Sequence, residues 1–278
     1  QRQVMNQEHE YNDDVFLEGL EISFDNKCNF ACVTCKPESS TVWEEREGKI
    51  DKIRPNYDGV NFSKLKHLSF TGGEPTIQKE FSPEFFDMLD SQVNYDTMFF
   101  SMNTNCSKFV HKPWQNFVKK LKRVMIMASI DGIGPVGEWV RYGLKMNVWE
   151  RNALRWVNLL KENDEFTYGD MTSGVWSNFV MTNYNIFIVD DTEKYLNSLG
   201  IKMRKTNCFT PEWLSPEYLP DHIKKELPTD DFVQSVLNNN EYNVEYCREF
   251  MIYTKYLETF SKAPEEALFI YKKLEEYL

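Results

Sequence analysis

Three of the six cysteines in this 278-residue chain fall within the eight-residue segment CNFACVTC, as Cys28, Cys32 and Cys35. Thiolates are ligands for soft metals and iron–sulfur clusters. The C-x3-C-x2-C spacing lets one compact loop turn all three sulfurs toward a single centre. A structural zinc wants four ligands, and the candidates for a fourth (Cys106, Cys208, Cys247 and His67) are distant in sequence. Three sulfurs on a cubane of four irons leave one iron open to a substrate or cosubstrate. On spacing alone, a zinc site closed by a distant residue and three unrelated buried thiols stay open beside that reading.

The elements that must position these thiols read as strand and helix in alternation. LEISF (Leu20 to Phe24) alternates apolar and polar residues and predicts a first strand running straight into the cysteines, which are expected in a loop. PESSTVWEEREGK predicts a short helix ending near Gly48. KLKHLSF, TMFFSMNTN, RVMIMASIDG, SGVWSNFVMTN and IKMRKTNCF predict five further strands. Between them, Ser82 with Pro83 starts a helix, and Trp114, Phe117, Val118 and Leu121 form a core-facing stripe. Asn147 and Glu150 have capping-box spacing, ahead of a stripe of Trp149, Ala153, Trp156, Val157 and Leu160. DTEKYLNSLG is a further helix.

This pattern implies parallel strands with crossover helices, an α/β fold. From Pro211 the alternation gives way to proline-punctuated turns and two more helical stripes, Tyr246 to Phe260 and Leu268 to Leu278. Residues 1–17 are expected as a loose lead-in, 18–210 as the core and 211–278 as a helical extension.

Chemistry in such folds collects at the carboxyl ends of the strands. There the sequence places the three cysteines, then Gly72, Gly73 and Glu74, then Asn103, Asn105 and Cys106, then Ser129 and Asp131, and finally Thr206, Asn207 and Cys208. The net charge of −11 repels phosphates and anionic lipid, so nucleic acid is an unlikely partner. The basic run Lys119 to Arg123 reads as a solvated face. No apolar run is long enough for a membrane span, and no signal peptide is recognisable. The sparse, clustered cysteines fit a cytoplasmic setting. The chain opens on Gln1 rather than Met, so residues are expected upstream.

With CNFACVTC after the first strand, TGGEP after the second, NTN after the third and SIDG after the fourth, the chain resembles the radical S-adenosylmethionine (SAM) superfamily over about residues 20–207. The extension makes it most similar to the twitch/SPASM-type subgroup. The resemblance implies a partial (β/α)6 TIM-like barrel with a C-terminal mostly helical extension. It also implies one 4Fe-4S cluster on Cys28, Cys32 and Cys35, with S-adenosyl-L-methionine on the fourth iron. Gly72, Gly73 and Glu74 would meet the methionyl amino group, and Asn105 or Asn103 the ribose. Ser129, Asp131 and Arg141 would supply further contacts, and the backbone at Val180 and Met181 would flank the adenine.

The implied reaction is reductive cleavage to a 5′-deoxyadenosyl radical that abstracts hydrogen. Its electron would come from a flavodoxin or ferredoxin, and its substrate would be a peptide or a small sugar or amino-acid-like metabolite. Cys106 and Cys208 are candidate hydrogen donors. Two positions depart from the family: Thr34 stands where an aromatic residue is common, and Cys106 where glycine is common. The reading of another class is a zinc-bound interaction module without catalysis.

Overall fold

In a computed structural model the chain is described over residues 17–51, 60–161, 167–168, 171–239 and 241–278. All but the last residue of the expected lead-in lies outside these. Six strands form one sheet: β1 Gly19–Ile22, β2 His67–Phe70, β3 Phe99–Thr104, β4 Arg123–Ala128, β5 Gly174–Met181 and β6 Lys202–Asn207. They lie side by side in chain order, and every pair is parallel. A strand order that never reverses means each crossover steps the same way, so the sheet curls as a barrel does instead of being doubly wound. The fold is the expected α/β partial barrel with a helical C-terminal region.

Alternation along the strands decides the two faces. Leu68, Phe70, Phe100, Met102, Val124 and Ile126 are fully buried on the outer face. There they meet α2 (Pro83–Asp90), α3 (Lys112–Lys120) and α5 (Met146–Leu159). Phe70 alone has ring contacts with Phe81, Phe100 and Trp114 at centroid separations of 4.3, 5.1 and 5.4 Å. Each fully buried phenylalanine contributes roughly 2–3 kcal/mol. On the inner face, Glu21, Ser69, Asn103, Asn178 and Arg204 alternate with these apolar residues and are half-buried or exposed.

Helix starts follow the sequence with one exception. Ser82 caps α2 through Phe85 N (3.4 Å), with Pro83 in the first turn as expected. Ser40 caps α1 (Thr41–Glu47), and Gly48 ends it. At α5, however, Asn147 is not the cap. The helix begins at Met146, whose N–H donates to Glu138 Oε1 at 3.0 Å. Glu138 belongs to α4 (Gly134–Val140), so the helix is capped by its neighbour and starts before the local signal. Glu150 instead accepts from Tyr195 Oη at 2.7 Å. The basic run at the α3–β4 junction is solvated, with Lys120 and Lys122 paired to Asp90 and Asp96.

After α6 (Val189–Ser198) and β6, short turns lead to α7 (Asp221–Lys224), α8 (Asp231–Leu237), α9 (Val244–Glu258) and α10 (Phe269–Tyr277). These helices share a core with the barrel. Leu214, Ile223, Phe250, Leu257 and Ile270 pack in one buried cluster with Ala31, Val33, Trp43, Trp139, Phe179 and Met181. Phe30 and Cys32 point into the other cluster, under the sheet. The cysteine segment is thus wedged between two cores. Among the described residues no helix is long and apolar enough to cross a membrane.

Candidate active site

The cysteine segment is anchored from below by backbone. Gly73 N donates to Asp25 O (3.2 Å) and Glu74 N to Lys27 O (2.8 Å). A Cβ on Gly73 would fall 2.3 Å from Lys27 O. The glycine is therefore required for close approach to the cysteine loop, a use the sequence did not reveal. From above, Thr41 Oγ1 donates to Cys28 O (2.8 Å), Ser40 Oγ to Phe30 O, and Trp43 Nε1 to Cys32 O (2.9 Å). From the tail, Tyr253 Oη donates to Val33 O (2.9 Å).

The expected loop contains a short ladder. Ala31 and Cys32 pair antiparallel with Tyr142 and Arg141, which brings Arg141 beside the thiols. Its Nη1 donates to Cys32 Sγ at 3.7 Å. Cys28 Sγ accepts from Phe30 N (3.5 Å) and Asn105 Nδ2 (3.7 Å). Burial pushes the Cys28 thiol up to about 11. Cys32 is held below the ordinary thiol value by a hydrogen bond from Cys35, with the Arg141 cation adding to it, and Cys35 is raised in consequence.

Among the described residues, no three of His, Cys, Asp and Glu gather around a point as a single metal ion requires. The candidates for a fourth zinc ligand are engaged elsewhere. His67 Nε2 lies 3.3 Å from Ser101 Oγ within the sheet, and Cys106, Cys208 and Cys247 are buried in the two cores. A donor set of three cysteines, with N–H groups aimed at the sulfurs of Cys28 and Cys32, fits a larger thiolate-bound group such as a 4Fe-4S cluster.

Around the thiols the strand ends form two hydrogen-bonded groups, one built on Glu74 beside Cys28 and one on Asp131 beside Cys32. Glu74 is 1% exposed. Its Oε1 accepts from Thr76 N, Thr76 Oγ1 and Thr104 Oγ1 at 3.1, 2.6 and 2.8 Å, and its Oε2 accepts from Asn105 N. Burial raises its pKa against these donors. The carboxylate thus ties the ends of β2 and β3 together, leaving one lone-pair direction on Oε2 for anything further. Asn105 also donates to Asn29 Oδ1 at 3.1 Å.

Asp131 Oδ1 accepts from Val180 N (2.9 Å), while its Oδ2 lies 2.8 Å from Arg141 Nε, an ion-pair contact not aligned as a hydrogen bond. Asn185, which the sequence reading missed, bridges Asp131 O and Val180 O at 2.8 and 2.9 Å. Ser129 leaves its hydroxyl half-buried, with its backbone bonded to Thr104 O and Trp149 Nε1. Asn103 is exposed on the inner face. Met181 is buried on the outer face, and its carbonyl accepts from Cys208 N (3.0 Å).

Cys28, Cys32, Cys35, Glu74, Asn105, Asp131, Arg141 and Val180 therefore belong to one site. Cys106 touches it only at one remove, its N–H donating to Thr104 Oγ1 (3.1 Å), the hydroxyl that donates to Glu74, and Cys208 lies outside it. Cys106 is fully buried with φ +54°, a left-handed conformation that suits glycine. Its carbonyl accepts from Asn152 Nδ2 at 2.8 Å, and burial raises its thiol pKa. Cys208 Sγ donates to Thr210 O and Pro211 O at 3.5 and 3.6 Å, and burial pushes its pKa up to about 12.

No family model and no curated protein matches this sequence. Solved structures overlap it. One is anSMEcpe with bound AdoMet, at 21% identity and TM-score 0.49, covering 73% of this chain and 53% of that one. Another is Streptococcus suis SuiB bound to S-adenosylmethionine, at 12% and 0.49, covering 89% and 49%. SuiB bound to the precursor peptide SuiA gives 13% and 0.47, covering 93% and 52%. The chain spans about half the length of these solved chains. At this distance they are likenesses, and the reading of the site rests on its own geometry.

Proposed function

We propose that the chain is a radical SAM enzyme. The observation that carries this reading is the joining of Cys28 to the Glu74–Asn105 pair and of Cys32 to the Asp131–Arg141 pair at the carboxyl end of a parallel, barrel-like sheet. When bound, a 4Fe-4S cluster with S-adenosyl-L-methionine supplies one-electron reductive cleavage to a 5′-deoxyadenosyl radical that abstracts hydrogen.

The chain's own residues hold and orient. Cys28, Cys32 and Cys35 would be the ligands. Glu74 fixes the Gly72–Gly73 turn, with its remaining lone pair for the methionyl ammonium. Asn103 and Asn105 stand where a ribose would be met, and Ser129 offers a free hydroxyl direction. The strand segment at Val180, whose side chain lies on the inner face, would flank an adenine. The two cores around the cysteine segment keep water off its underside.

On the inner face, Ser69, Asn103, Asn178 and Arg204 offer a partly polar lining of hydroxyl, amide and charged groups. That lining suits a hydrogen-bonding peptide, which we propose as the substrate class, with a flavodoxin or ferredoxin as electron donor. Anaerobic reconstitution tests the reading. Uptake of about four irons per chain and formation of 5′-deoxyadenosine from S-adenosylmethionine under dithionite are expected. A colourless, zinc-loaded protein that leaves S-adenosylmethionine intact would refute it.

A further inference from the structure

We infer that Arg141, held by Asp131, is a positioning residue that raises the reduction potential of the cluster through the sulfur of Cys32. The inference rests on the proposed function. Its basis is contact geometry: the antiparallel pair sets the Arg141 backbone opposite Cys32, and Nη1 donates to that residue's Sγ.

The guanidinium is not free to leave. Its side chain is 13% exposed, and its Nε lies against an Asp131 carboxylate that is 5% exposed. Asp131 is in turn pinned by Val180 N and, through its carbonyl, by Asn185. Swinging Arg141 away would strand a buried carboxylate, which is strongly destabilising. The arrangement is a fixed dipole with its positive end at the sulfur. Burial works against the cation, but Asp131 and the Cys32 and Cys35 thiols outweigh it, so Arg141 stays charged.

Reduction adds one electron to the cluster, delivered by a low-potential one-electron donor, with no proton or bond exchanged. The reduced state carries one more negative charge than the oxidised state. A cation and an N–H donor at a ligating sulfur therefore stabilise the reduced state more, and the potential rises. Phe30 N and Asn105 Nδ2 act in the same sense on Cys28, but as neutral donors.

The test is a potentiometric titration of the reconstituted protein, followed by electron paramagnetic resonance, with dithionite and mediators and without S-adenosylmethionine. Arg141→Met should lower the midpoint at unchanged iron content. Arg141→Lys, which keeps the charge and disturbs packing least, should fall between it and the native protein. Midpoints equal to native in variants with native iron content overturn the inference, and a weakened affinity for S-adenosylmethionine alongside them would assign Arg141 to the cosubstrate alone. A native protein that takes up no iron–sulfur cluster overturns the proposed function, and this inference with it.

Discussion

Cys28 and Cys35 stand half-buried at the carboxyl edge of the sheet, whereas Cys106, Cys208 and Cys247 lie in packed cores, none more than 2% exposed. Cys28 and Cys32 on one side and Cys208 and Cys247 on the other have hydrogen-bond partners of opposite kinds. At the edge, the Cys28 and Cys32 sulfurs accept: Phe30 and Asn105 aim N–H groups at the first and Arg141 at the second. In the cores, the Cys208 and Cys247 sulfurs donate to carbonyls of Thr210, Pro211 and Tyr218. Donors around a thiol favour its anion, and acceptors favour the neutral form. The same side chain is therefore prepared as a ligand in one region and as packing in the other.

The largest expected effect separates the two groups directly. Alanine at Cys28, Cys32 or Cys35 should abolish retention of iron after anaerobic reconstitution, and alanine at Cys208 or Cys247 should leave it at the native level. Iron analysis decides this, and loss of iron in the Cys208 variant would break the contrast. Next, Glu74→Ala removes the acceptor of four buried donors and should cost about 1–3 kcal/mol in urea unfolding, since it unties the strand ends beneath Cys28.

Smaller still, Cys106→Ala should cost about 1 kcal/mol from lost packing with iron unchanged. Cys106→Gly should recover part of that loss by relieving the left-handed backbone. Finally, Tyr253→Phe should cost about 1 kcal/mol and speed alkylation of Cys35 by iodoacetamide a few-fold in the metal-free protein. Peptide mass mapping of that reaction should find Cys106, Cys208 and Cys247 unlabelled until the chain is unfolded.

What could be read from sequence was what is local. The six strands and the stripes of α3 and α5 announced themselves because side-chain alternation and the helical period lie within a few residues. The strand-end motifs were legible for the same reason. What escaped joins residues far apart. Arg141 could be suspected from its motif, but not its contact with Cys32, because that depends on a two-residue ladder across more than a hundred positions. Asn185 and Trp43 carried no local signal at all. The Asn147 capping box failed because Glu138 of the preceding helix supplies the cap. Gly73 was expected to meet a methionyl amino group, and its missing side chain makes room for Lys27 O.

The bond from Tyr253 to Val33 spans 220 residues of chain, and this sets an order of events at the ribosome. At about 5–20 residues per second, the anchor for the cysteine segment is synthesised roughly 10–45 s after the segment itself. Until α9 emerges, Val33 and its apolar neighbours lack one wall of their core, and the segment has its thiols but not its final shape. Maturation of the site is thereby coupled to completion of the C-terminal helices, and a chain stalled before α9 would display three cysteines without the frame that makes them specific.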